Sequence, residues 1–241
     1  MIGFDRPLMP RWIYESLLLA EPGQKLSELN LEFDGIAREL TGKEGKRKVR
    51  TVLFRYFLRE PANKARACKN LWLKDLSKKY DLAFMTPIYL FYLISRTETL
   101  ISISQHIFRL YEWGSEINLT FLQRKMVEGS GDRDVVGRSA RAFVRTLTFF
   151  GLITEVNKKF ILKHALTIND EQAAIMFQLW ARELRHTPQI DLNQLPPAIF
   201  SWFTWPDLRT IAQKYNGELW DYQHRMGGEY LAVYSLRNGA W

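Results

Sequence analysis

The stretch that decides the fold of the central part of this chain runs from Asn118 to Lys163. It reads Asn118-LTFLQRKMVE, then Gly129-SGDRD, then Val135-VGRSARAFVRTLTFF-Gly151, and it ends with LITEVNKKFILK. The spacing of the apolar residues predicts a helix, a short turn, a second helix that ends at Gly151, and a β-hairpin. The hairpin strands are predicted over residues 152–156 and 160–163, with Asn157-Lys158-Lys159 at the tip.

The second predicted helix has two chemically different faces. Its apolar face is formed at positions i, i+3, i+4 and i+7 by Ala140, Phe143, Val144 and Leu147. Arg138, Arg141 and Arg145 lie within about 60° of one another on roughly the opposite side. A helix that enters a nucleic-acid groove needs one side to bury and one cationic side to present, because guanidinium groups bond phosphates or guanine edges in pairs. The alternative is a surface helix whose arginines are only solvated.

Further residues complete this candidate site. Arg133 lies in the turn before the helix, and Lys158 and Lys159 lie at the hairpin tip, where they would contact a phosphate backbone. We expect Asp132 or Asp134 to cap the helix N-terminus. Phe149 projects near the arginine side, and we expect it to pack beneath the hairpin.

The order of these elements resembles a winged helix-turn-helix over residues 115–165. The resemblance implies binding of double-stranded DNA, with Arg138, Arg141 and Arg145 entering or straddling a groove. It also implies that the hairpin, as the wing, holds phosphates through Lys158 and Lys159.

The distribution of charge indicates a second cationic segment. Of the net charge of +8, residues 42–79 contribute +10 and residues 124–163 contribute +5, whereas the rest of the chain is mildly acidic. A polyanion-binding surface concentrates its positive charge in this way. The candidate contacts in the first segment are Lys46, Arg47, Lys48, Arg50, Arg55 and Arg59.

This basic tract is predicted to be a helix over residues 46–59. Val49, Val52, Leu53 and Tyr56 share one face at helical spacing, so the cations would lie along a flank. We expect them to contact the nucleic-acid backbone rather than the bases. The alternative is again a solvated helix end.

The composition is that of a soluble globular protein, with 46% apolar and 25% charged residues. Cys68 is the single cysteine, which excludes an intramolecular disulfide and favours a reducing cytoplasm. The N-terminus lacks the apolar core of a signal peptide. The most apolar stretch, residues 82–94, is too short for a membrane span and is interrupted by Pro87, so it predicts a buried helix.

Motifs for catalysis are hard to find. The four histidines are far apart in the sequence and show no zinc-binding spacing. Asp207 and Glu218 superficially suggest a metal-dependent nuclease, but Trp220 occupies the position where such a site needs lysine, and Asp207 is predicted to begin a helix. We therefore expect a protein that is not an enzyme and that needs no cofactor or metal.

The whole pattern predicts a mainly α protein in three parts. These are a helical domain over residues 1–112, a winged helix with one further helix over residues 113–186, and a small aromatic-rich α+β region over residues 187–241. Residues 187–197 are rich in proline and predict a linker or long loop. Residues 219–225 and 229–236 predict a hairpin that turns at Gly227-Gly228.

A second resemblance extends over residues 70–165. Leu71-Trp72-Leu73, Lys79-Tyr80 and Arg141-AFVRTLTFFGLI resemble the BrxA-type proteins of bacterial BREX phage-defence systems. The resemblance implies a small helical DNA-binding protein in phage defence, although the aromatic region after Thr187 has no counterpart in that pattern.

Two other functions remain open. The chain could be a scaffold subunit whose aromatic C-terminal region docks a partner protein, and exposed tryptophans in that region would favour this alternative. It could also bind structured RNA in place of DNA.

Overall fold

The computed structural model describes residues 4–59, 68, 72–130, 134–185, 187–225 and 227–234. About 56% of the described residues are helical. The helices of the described part are α1 (Pro10–Leu19), α2 (Asn30–Ile36), α3 (Lys43–Leu53), α4 (Trp72–Lys79), α5 (Leu82–Ser95), α6 (Glu98–Leu110), α7 (Leu119–Ser130), α8 (Asp134–Phe149), α9 (Asp170–Leu179), α10 (Pro197–Phe200) and α11 (Leu208–Lys214). Two π-helical turns, Phe54–Leu58 and Trp180–Leu184, directly follow α3 and α9.

The strands form three small sheets. They are β1 (Glu116–Ile117), β2 (Ile153–Val156), β3 (Lys159–Leu162), β4 (Leu166–Thr167), β5 (Gln189–Asp191), β6 (Phe203–Thr204), β7 (Trp220–Arg225) and β8 (Gly228–Val233). The first sheet has the antiparallel order β1-β3-β2, and the third has the antiparallel order β5-β8-β7. Strands β4 and β6 form a short parallel pair.

Helix α5 lies at the centre of the protein. Asp81 caps its N-terminus by accepting a hydrogen bond from the backbone N–H of Phe84. Every side chain from Ile88 to Ile94 is at most 1% exposed, as expected for a helix that is apolar on all sides. The expectation of a buried core helix is confirmed, and within the described residues no helix is both long and apolar enough to cross a membrane.

One continuous core joins the three predicted parts of the chain. Its buried apolar side chains extend from Phe4 to Val233. Trp202, which follows α10, is fully buried, and its ring lies 4.5 Å from that of Phe108 on α6 and 5.9 Å from that of Phe143 on α8. The C-terminal region is therefore packed on the central helices.

The mainly α class is confirmed, and two local predictions need correction. The predicted linker at residues 187–197 contains β5, which pairs with β8 and makes the expected C-terminal hairpin a three-stranded sheet. The predicted helix over residues 46–59 begins earlier, at Lys43, and its last turn is π-helical. Its predicted apolar face is buried.

Candidate nucleic-acid interface

Helix α8 packs with the apolar side that the sequence predicts. Ala140, Phe143, Val144 and Leu147 are all fully buried. On the same helix, Gly137 accepts a hydrogen bond from the Gln123 side chain of α7 at 2.8 Å, which fixes the two helices against each other. Gly151 follows α8 with a φ of +84°, the left-handed conformation that glycine adopts without strain at a helix end.

The arginines of α8 differ in their surroundings. Arg138 and Arg141 are exposed, and Arg141 makes no hydrogen bond or ion pair with the described residues. Arg145 forms a two-pronged ion pair with Glu155 of β2, and its guanidinium lies 5.0 Å from the centre of the Phe160 ring on β3. Arg145 therefore connects α8 to the hairpin. The side chain of Arg138 is exposed but has an interaction within the protein, and Arg141 is exposed on the same helix.

The hairpin turns at Asn157 and Lys158. Both have positive φ, at 51° and 66°, which is the backbone of a tight two-residue turn. Lys158 is exposed at this tip. Lys159 is already part of β3, and its ammonium pairs at 2.8 Å with the carboxylate of Glu116 on β1.

We call helix α8 and the β2–β3 hairpin the helix–hairpin surface. It includes the exposed Arg138 and Arg141 on α8 and Lys158 at the hairpin tip. Arg133 and Asp132 lie outside the described residues. The expected position of Phe149 beneath the hairpin is wrong. Its side chain is 38% exposed, and its ring lies 6.5 Å from that of Trp12 on α1.

In the basic tract, several cations are bonded within the protein. Lys46 donates to the backbone carbonyl of Asp34 at 2.8 Å. Arg50 donates to the Asn30 carbonyl at 3.0 Å and to the Asp34 carboxylate at 3.3 Å, so both residues fasten α3 to α2. Lys48 is exposed on the same helix.

Arg47 and Glu44 form an exposed ion pair at 2.8 Å on the first turns of α3. The hydrogen bond between them lowers the pKa of Glu44 and raises the pKa of Arg47, so both groups remain charged over the physiological range. A polyanion that contacts Arg47 would therefore have to replace Glu44 or share the guanidinium with it.

Arg55 and Arg59 lie on and just after the π-helical turn. Both side chains are half-buried and have interactions within the protein. The turn is fixed from outside by Arg96, which donates to the Tyr56 carbonyl at 2.7 Å and to the Arg59 carbonyl at 3.1 Å. Two carbonyls at the end of the π-helical turn, those of Tyr56 and Arg59, are therefore bonded by the residue that follows α5.

Asp207, one of the two carboxylates considered for a nuclease site, is engaged in a helix cap. Asp207 caps α11 by accepting from the backbone N–H and the hydroxyl of Thr210, and these hydrogen bonds lower its pKa. Within the described residues, no three histidine, cysteine, aspartate or glutamate side chains converge as metal ligands.

The described tryptophans of the C-terminal region are not displayed on the surface. Trp202 and Trp220 are fully buried, and the indole N–H of Trp220 donates to the Ala212 carbonyl at 2.9 Å. Trp205 is half-buried and stacks on Phe177 and Phe200. The exposed tryptophans that would favour a scaffold subunit are thus not found among the described tryptophans of this region.

Comparison of the chain with protein-family models, with curated proteins and with solved structures gave no match.

Two features of this surface are not evident from the sequence. The first is the pairing of β1 with β3, because a strand of two residues is too short to show an alternating pattern. The second is the Arg145–Glu155 pair, whose members are ten positions apart and meet only after the hairpin folds back on α8.

Proposed function

We propose that the protein binds double-stranded DNA through a winged helix-turn-helix in which α8 lies in or across a groove and the β2–β3 hairpin is the wing. The order of elements supports this proposal, because α7 and α8 are inserted between β1 and β2 and the sheet has the order β1-β3-β2. The observation that carries it is an arginine-bearing exposed side on α8 opposite a fully buried apolar side.

The roles of the three arginines then differ. Arg138 and Arg141 are the groove or phosphate contacts, because they are exposed and guanidinium groups bond phosphates and guanine edges well. Arg145 is a positioning residue, since its ion pair with Glu155 sets the angle between α8 and the wing. Lys158 supplies a backbone phosphate contact from the wing tip.

The basic tract would add a second backbone contact through its exposed cations, of which Lys48 is the clearest. The resemblance to BrxA-type proteins leads us to propose phage defence as the biological setting.

The proposal is tested by titrating a DNA duplex at several salt concentrations with wild type and Arg141→Gln. Loss of one phosphate contact should reduce the slope of log K against log salt by about 0.9 and weaken binding at every sequence tested, whereas loss of a base contact should weaken binding mainly at preferred sequences. Arg225→Gln is the matched control, because Arg225 is an exposed arginine at the end of β7.

Equal affinity and equal salt slope for wild type, Arg141→Gln and Arg225→Gln would refute the proposal. The same titration with competing structured RNA separates the two nucleic acids. Displacement of the duplex by an equal mass of RNA at every salt concentration would make RNA the ligand instead.

A further inference from the structure

A carboxylate, that of Glu155, lies between α8 and the wing. Glu155 is directly opposite Phe160 in the register of β2 and β3, so the two side chains project from the same face of the sheet. Ile153 and Leu162 project from this face as well, because side chains alternate along a strand, and both are buried. Glu155 is therefore on the face of the wing that packs towards α8.

The guanidinium of Arg145 is the group that Glu155 binds. Its two terminal nitrogens donate to the two carboxylate oxygens of Glu155, one of them at 3.2 Å. The guanidinium also lies 5.0 Å from the centre of the Phe160 ring, within the range of an attractive contact between a cation and an aromatic face. A guanidinium forms the same two-pronged arrangement with a phosphate. Glu155 thus occupies the edge of Arg145 that a DNA phosphate would use.

Arg145 is adjacent to a proposed DNA contact. It follows Arg141 by four positions, and residues at this spacing are neighbours on the surface of an α-helix. The side chain of Arg145 is 42% exposed and that of Glu155 is 30% exposed, so both can be reached from solvent. A duplex that contacts Arg141 therefore meets, next to it, an arginine whose charge is already paired and a carboxylate that repels phosphates.

The ion pair can open without loss of the fold. Ion pairs that are open to solvent contribute little to stability. The wing has a second attachment to the protein, since Ile153 and Leu162 are part of the continuous core. A change in the charge of Glu155 should therefore alter the binding of DNA more than it alters the stability of the wing.

We infer that Glu155 competes with the DNA backbone for Arg145 and thereby limits the affinity of the helix–hairpin surface. Arg145 becomes a phosphate contact when the negative charge of Glu155 is removed. This inference rests on the proposed function and deepens it, because it names a residue that sets how tightly the surface holds a duplex. The same pair also positions the wing, so the two roles have to be separated by experiment.

The experiment is a titration of a DNA duplex, followed by fluorescence anisotropy, at salt concentrations from about 50 to 200 mM. The test variant is Glu155→Gln, which removes the charge and keeps an oxygen that accepts from Arg145. The matched control is Asp170→Asn. It changes the net charge equally and releases Lys214 from an ion pair of 2.7 Å between α9 and α11, outside the helix–hairpin surface.

A double variant, Arg145→Gln with Glu155→Gln, completes the set. It has the net charge of wild type and lacks the ion pair. Its salt slope reports whether Arg145 is the group that Glu155→Gln releases. It is also the control for the fold, because a wing that is merely displaced by loss of the pair would be displaced in this variant too.

We expect Glu155→Gln to bind the duplex more tightly than wild type, with a slope of log K against log salt that is steeper by about 0.9, because one phosphate contact is added. The gain in affinity should then be about 3.5 times larger at the lowest salt concentration than at a concentration four times higher. Asp170→Asn and the double variant should both keep the slope of wild type.

Three results would overturn the inference. They are an unchanged or shallower slope for Glu155→Gln, weaker binding by Glu155→Gln, and an equally steep slope for Asp170→Asn or for the double variant. Weaker binding at an unchanged slope would show that the ion pair serves only to position the wing, because displacement of the wing cannot add a phosphate contact.

Arg141→Gln in the same titration distinguishes this inference from the proposed function. If Arg141→Gln weakens duplex binding while Glu155→Gln leaves the slope unchanged, the proposed function stands and the inference alone fails. If Arg141→Gln binds as wild type does, with the same slope, the proposed function fails and the inference fails with it.

Discussion

Replacement of Trp202 tests whether the C-terminal region shares one core with the central helices. Its indole N–H donates to the hydroxyl of Ser104 at 3.0 Å, and both residues are fully buried. Trp202→Phe leaves the Ser104 hydroxyl without this partner, which costs about 1–3 kcal/mol. The missing part of the ring leaves a void of roughly 40 Å³, which costs about 1 kcal/mol more. The free energy of unfolding should therefore fall by about 2–4 kcal/mol, and the Tm by roughly 4–16 °C for a chain of this size.

The assay is thermal and urea unfolding followed by circular dichroism, with Trp113→Phe as the control. Trp113 belongs to the same ring cluster, at 6.1 Å from Trp202, but is 40% exposed, so its replacement should cost well under half as much. The double variant of Trp202→Phe with Ser104→Ala should be more stable than additivity predicts by about 1 kcal/mol, because neither partner is then left unpaired. Strict additivity would refute the hydrogen bond. A second unfolding transition that Trp202→Phe does not move would refute the shared core.

Two further predictions concern the hairpin tip and one helix cap. Lys158→Gly removes a charge from a position with φ of 66°, a conformation that glycine adopts more easily, so the Tm should stay the same or rise. The salt slope of duplex binding should fall by about 0.9 because one phosphate contact is lost. A lower Tm would show that the side chain itself stabilises the turn. Asp207→Asn keeps an oxygen to cap α11 but removes a carboxylate whose folded-state pKa is lowered by Thr210. A carboxylate with a lowered pKa stabilises the fold above its unfolded pKa, and this stabilisation disappears as pH falls through the folded pKa. The Tm of wild type should therefore exceed that of the variant at pH 7, and the two Tm values should be equal well below pH 3.8. A constant difference in Tm across an acid titration would contradict this prediction.

The two faces of α8 could be predicted from sequence because burial follows the helical period directly. All four positions of its apolar face are fully buried, namely Ala140, Phe143, Val144 and Leu147. Their burial follows from helical spacing alone, without contacts that only the folded chain reveals. The hairpin was predictable for a similar reason, since Asn157 tolerates positive φ and separates two short apolar runs.

Features that join distant segments could not be predicted. Strand β5 lies in a proline-rich stretch, and only its pairing with β8 makes it a strand. The concavity beside α3 is lined by Lys25, Arg47 and Arg55, and no local pattern relates a loop residue to a helix that begins nearly twenty positions later. The sequence predicts Phe149 beneath the hairpin because it does not show that α1 packs near the end of α8.

The amount of positive charge that a polyanion meets is smaller than the charge of the sequence segments. Lys74 belongs to the segment of net +10, yet it is 4% exposed and is bonded to the Ala20 carbonyl and to Glu21. Of the twelve candidate contacts, four are paired with carboxylates in the described structure: Arg47, Arg50, Arg145 and Lys159. Twelve phosphate contacts would give a salt slope of about −11, and the closed ion pairs of these four residues alone reduce that limit to about −7. A steeper measured slope would require DNA to open these ion pairs, and because two of them fasten β2 and β3 to their neighbours, the helix–hairpin surface would then have to rearrange as it binds.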